Sequence, residues 1–136
     1  MRTSVTKVTF IRIRNLILCL AGTLIVGMGC AGPAGTVIAI SSPTSGQTFS
    51  EGDTLNIRAT LTAAKETPLH GYQVYIYDQA DQSSVFEADE HVHETIIDVD
   101  QSWVISVSNT TLKLEIVSIN DHDGNTDKKT IEINVN

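Results

Sequence analysis

The segment Glu87-Ala88-Asp89-Glu90-His91-Val92-His93-Glu94 places two histidines two residues apart among four carboxylates. Neutral imidazoles ligate Zn, Cu or Ni. In an extended strand successive side chains alternate, so Glu87, Asp89, His91 and His93 project to one side, with the histidines about 7 Å apart along it. Two imidazoles at this spacing close on one ion if a neighbouring carboxylate or His70 adds a third ligand. Two readings of the stretch stand: a site for Zn or Cu, or a solvated face beside Phe86, Ala88 and Val92 in a domain where acid is abundant.

Other residues are weighed the same way. Tyr75 and Tyr77 alternate against Tyr72, Val74 and Ile76; they either form an exposed pair for stacking on a glycan or protein partner or cover the sheet surface. Trp103 sits in an apolar strand and reads as core. Asp121, Asp123 and Asn125 suggest calcium, but Gly124 follows Asp123 directly and the bidentate Glu of a calcium loop is missing. Asp123-Gly124-Asn125 reads instead as a tight hairpin turn with positive φ at both central residues. No Gly-x-Ser-x-Gly elbow, phosphate loop or His-Glu-x-x-His segment is present, so the chain reads as a non-enzyme.

The elements that must position these residues are strands. Leu55, Ile57, Ala59 and Leu61 alternate with polar residues; so do Tyr72-Val74-Ile76, Trp103-Ile105-Val107 and Ile131-Ile133-Val135, and Leu112 to Ile119 continues the pattern. Turn signals at Ser42-Pro43, Ser50 to Asp53, Thr67-Pro68, Asp81 to Ser84, Ser108 to Thr110 and Asp123-Gly124 divide residues 36–136 into about seven short strands. Such spacing predicts an all-β, antiparallel β-sandwich.

Charge divides the chain into two objects. All sixteen Asp and Glu lie at or after Glu51, whereas Arg2, Lys7, Arg12 and Arg14 crowd the first fourteen residues. Beyond that segment five Lys and Arg face the sixteen acids, which excludes nucleic acid as a ligand, because binding a polyphosphate rests on basic residues. The basic start, the uncharged run Leu16 to Met28 and the small residues Gly29, Ala31 and Gly32 lay out a cleaved secretory signal, too short to span about 30 Å of hydrocarbon.

Gly29-Cys30, with Ile25 and Val26 upstream and Gly27 where the family usually carries Leu, resembles the lipobox of bacterial lipoproteins. The resemblance implies cleavage after residue 29, lipidation of Cys30 and a membrane anchor. Ala31, in place of the Asp that retains such proteins at an inner membrane, implies an outer-membrane lipoprotein of the cell envelope. Residues 30–35 then form a flexible tether. Cys19 is discarded with the signal, so the body has no disulfide.

The body is similar to bacterial immunoglobulin-like domains: Ile40 to Phe49 with Glu51-Gly52-Asp53-Thr54-Leu55 looks like their opening strands, and Ser118 to Thr126 like their last hairpin. More narrowly it resembles single-domain lipoproteins with a mid-chain His-x-His segment. The resemblance implies an immunoglobulin-like module for binding or adhesion, toward a protein or glycan not identified by the sequence. The alternative is a periplasmic or surface metal-binding protein using His91 and His93.

Overall fold

The computed structural model describes residues 35–136; the signal segment and Cys30 lie outside the described residues. Eight strands follow in order: β1 (Val37–Ser42), β2 (Thr48–Phe49), β3 (Thr54–Thr62), β4 (Gly71–Asp78), β5 (Ser84–Glu90), β6 (Ile96–Val104), β7 (Thr110–Ile119) and β8 (Thr126–Val135). They form a three-stranded sheet ordered β1-β3-β6 and a five-stranded sheet ordered β2-β8-β7-β4-β5. Every pairing is antiparallel except β2 with β8. Among the described residues no helix is long and apolar enough to cross a membrane.

The period-two pattern translates into a core between the sheets. From β3 come Leu55, Ile57, Ala59 and Leu61; from β4, Tyr72, Val74 and Ile76; from β7, Leu112, Leu114 and Ile116, all buried. Each fully buried aliphatic side chain contributes roughly 1.5–3 kcal/mol by leaving water. Trp103 lies half-buried against this core, 6.1 Å from the ring of Phe86.

The strands differ from the predicted ones in three places. The count is eight, because β2 is a two-residue strand too short to show a period. β6 spans Ile96–Val104 rather than running from Trp103 to Val107, and Ile97 and Val99 are its buried residues. The aspartates between and beyond them face outward against β3, Asp98 accepting from Thr60 Oγ1 at 2.9 Å and Asp100 3.5 Å from Arg58 Nε. The last hairpin is also wider than a two-residue turn: Asn120 donates its N–H to the Asn125 carbonyl, and of the residues between, Gly124 alone has positive φ.

The side of the sandwich where β5 and β6 form the sheet edges is closed by a polar contact. Tyr72, buried to 1% exposure, donates its hydroxyl to Glu90 Oε2 at 2.9 Å and accepts from Gln101 Nε2 at 3.0 Å. A buried hydroxyl needs such partners, and each net bond is worth about 1 kcal/mol. The contact joins β4 and β5 to β6 of the facing sheet and fixes Glu90, the residue before His91.

Candidate functional site

β7, β4 and β5 are neighbours in the five-stranded sheet, and antiparallel pairing brings the end of β7, the start of β4 and the end of β5 to one edge of the molecule. His70 precedes β4, His91 and His93 follow β5, and His122 lies in the hairpin after β7. All four histidines of the chain therefore meet. Ring centroids lie 3.9 Å apart for His70 and His122, 4.5 Å for His70 and His93, 4.7 Å for His91 and His93, and 6.3 Å for His70 and His91.

Each ring is placed by a local device. The N–H of His70 donates to the Ile119 carbonyl at 2.7 Å, holding it beside β7. The next residue, Gly71, has φ +137°, and a Cβ there would sit 2.1 Å from the Glu90 carbonyl oxygen. Only glycine lets β5 pass this close.

Beyond Glu90 the ladder is irregular. Tyr72 pairs with Glu90 and Leu69 with Glu94, so two residues, His70 and Gly71, oppose three, His91 to His93. An extra residue on one strand is a bulge, which re-aims side chains. It removes His91 and His93 from the regular strand and leaves their Nε2 atoms 3.0 Å apart. In the hairpin, the Asp121 carboxylate accepts from the N–H groups of Asp123 and Asn125 and from Asn125 Nδ2, at 3.0, 3.1 and 2.7 Å. This folds the loop so that His122 reaches His70.

The electrostatics favour a neutral imidazole at His70. Burial lowers the His70 pKa first, the nearby His122, His93 and His91 lower it further, and Asp121 opposes them. Its Nδ1 is occluded from solvent and has no hydrogen-bond partner. The Asp121 pKa is lowered chiefly by its bonds from Asn125.

The rings pack edge to face, at 65° to 88° for the closest pairs. Among the described residues no three His, Cys, Asp or Glu side chains already stand with their donor atoms set around one point. Closing a metal polyhedron therefore takes rotation of the imidazoles about their side-chain bonds. One donor pair, His91 Nε2 and His93 Nε2, already stands 3.0 Å apart, where donors about 2.0–2.1 Å from an ion lie about 2.9 Å apart at a right angle and about 3.3 Å apart in a tetrahedron.

Of the residues singled out from the sequence, His70, His91 and His93 are brought together. Glu87 and Asp89 stay in β5, paired with Tyr75 and Gln73; Glu87 acts on Tyr77, and the groups that shift His70 include neither carboxylate. Sequence reasoning missed His122, which it absorbed into a turn. The available signal was that all four histidines fall at or just beyond strand ends, but it becomes informative only once β4 is known to lie beside β7.

Tyr75 and Tyr77 form a separate half-buried patch on the outer face, their rings 5.9 Å apart and 22° from parallel, with Lys113 Nζ 4.8 Å from the Tyr77 centroid. A cleft of about 420 Å³ lies against Thr36, Lys65, Leu69, Asn120, Asp121 and Asp127, and no histidine lines it.

The two facing sheets define the class: an immunoglobulin-like or fibronectin-III-like β-sandwich domain. No protein-family model matches the chain, and no curated protein matches it in sequence. Among solved structures it is similar to the fibronectin(III)-like modules of Clostridium thermocellum CbhA, with 20% identity, a TM-score of 0.47, and coverage of 73% of this chain and 94% of that one. The CARDB domain of the Pyrococcus furiosus PF1109 protein, in complex with di-metal ions, has 6% identity, a TM-score of 0.49, and coverage of 74% and 87%. Spo0M, the sporulation control protein of Bacillus subtilis, has 8% identity, a TM-score of 0.52, and coverage of 76% of this chain and 49% of its own. At these identities the likeness is one of fold.

Proposed function

We propose that the chain is a non-enzymatic, outer-membrane lipoprotein module, anchored through Cys30, that binds a first-row transition metal ion, Zn²⁺ or Cu²⁺, with His70, His91, His93 and His122. The observation that carries the reading is the convergence of four imidazoles from three strand ends, one of them with an occluded and unpartnered Nδ1. An all-nitrogen set without thiolate suits Zn and Cu better than Mg, Ca or Mn, which favour oxygen donors. Such a set leaves the ion's charge uncompensated by its ligands, and the acidic surroundings supply the balance.

The test is a thermal melt of the mature chain carrying Cys30→Ser, titrated with Zn²⁺ or Cu²⁺. A ligand that binds only the folded state stabilises it by about 2.7 kcal/mol at a hundred times Kd, a rise in Tm on the order of 10 °C for a domain of this size. His91→Ala with His93→Ala abolishes the rise and leaves the apo fold intact. Acidification through about pH 6–7 weakens it, since protons compete for imidazole. A melt unmoved by either ion identifies the cluster as edge-to-face aromatic packing.

A second reading rests on the outer face. The Tyr75–Tyr77 stack with Lys113 beside it favours contact with a protein or glycan partner. Tyr75→Ala with Tyr77→Ala then removes retention of intact envelope partners on the immobilised domain and leaves metal binding unchanged.

A further inference from the structure

The end of the sandwich that carries the histidines is also the end at which the described chain begins. Thr36 donates its N–H to Asp127 Oδ2 at 2.6 Å and its hydroxyl to Asn120 Oδ1 at 2.7 Å. Asn120 Nδ2 in turn donates to Asp127 Oδ2 at 2.8 Å, and the hydroxyl of Ser118, a fully buried residue, donates to Asn120 Oδ1 at 2.8 Å. Gly35 lies so close that a Cβ on it would come within 2.7 Å of both Asp127 carboxylate oxygens. The entry of the chain is thus clamped to the two sides of the hairpin whose loop bears His122, two residues beyond Asn120.

The opposite end is formed by the turn between β4 and β5, around Asp81. β4 has eight residues, so the two ends are about 26 Å apart. The tether of residues 30–35 spans at most about 20 Å when fully extended. The clamp at Thr36 fixes where the tether leaves the domain, so a lipid on Cys30 would hold the histidine end nearer the bilayer than the Asp81 end.

We infer that the four-histidine site faces the membrane and holds its ion at the bilayer surface, where a membrane-resident donor or acceptor of Zn²⁺ or Cu²⁺ can reach it. This rests on the metal reading of the site and on anchoring through Cys30. A soluble exchange partner would be better served by a site at the Asp81 end, which stands free of the anchor.

The experiment uses the full lipidated chain in phosphatidylcholine vesicles that contain a rhodamine-labelled phosphatidylethanolamine. With Cys30 lipidated, Asp123→Cys or Asp81→Cys supplies the one thiol of the mature chain, and fluorescein placed there reports distance to the bilayer. Energy transfer is several-fold more efficient from position 123 than from position 81, and lengthening the tether with twenty Gly and Ser residues after Gly32 abolishes the difference. Equal transfer, or greater transfer from position 81, overturns the inference, and so does failure of the chain to stay on the vesicles. A Zn²⁺ melt of the lipidated chain that keeps Asp81 and Asp123 separates the two ideas. Metal binding with the 81 end nearer sinks the orientation alone, whereas the 123 end nearer without metal binding sinks the metal reading and this inference with it.

Discussion

His122 is the residue on which the site differs most from its sequence reading. It contacts His70 at 3.9 Å between centroids, closer than any other pair of histidines. It is also exposed. His122→Ala therefore costs the apo domain little, within about 0.5 kcal/mol, while lowering the metal-induced rise in Tm by half or more; a thermal melt with and without Zn²⁺ measures both. His70 makes a second prediction. Its folded pKa lies below the ordinary histidine value because of burial first, then His122, His93 and His91, with Asp121 acting the other way. The unfolded chain then binds more protons as pH falls through about 6.5, so the apo domain loses stability on acidification in that range. Denaturant unfolding at pH 7.5 and 5.5 shows this loss, and His70→Asn reduces it.

At the scale of elements, the bulge opposite Gly71 does the positioning. Gly71→Ala drives a Cβ into the Glu90 carbonyl and imposes a positive φ on a residue that resists it. The expected cost is about 2 kcal/mol or more, read by denaturant unfolding, together with a weakened Zn²⁺ response, because β5 can no longer deliver His91 and His93. Period-two alternation made β3, β4, β7 and β8 legible, since each buries one face more deeply than the other. β2 escaped because two residues carry no period. Ile96–Val104 was obscured by the outward Asp98 and Asp100, which read as polar chain until β3 supplies Thr60 and Arg58 opposite them. The histidine pair was legible as chemistry, but its geometry was not. A regular strand holds the residues about 7 Å apart, and the bulge that overrides this depends on pairing with β4, which lies twenty residues earlier and has no local signature.

For the molecule as a whole, the proposed reading places a lipid anchor and a metal site at the same end of an acidic sandwich. Detergent-phase partitioning checks the anchor: the native protein enters the detergent phase, and Cys30→Ser leaves it in the aqueous phase. The central claim, that four imidazoles form one metal site, is tested most directly by X-ray absorption on the mature Cys30→Ser chain loaded with one equivalent of Zn²⁺ and desalted. The expected result is a shell of imidazole nitrogens about 2.0–2.1 Å from the ion, with the multiple-scattering pattern of four rings, whereas His91→Ala with His93→Ala retains no zinc after desalting. Zinc lost on desalting from the chain with all four histidines, or held there by a shell of oxygens alone, would contradict the claim.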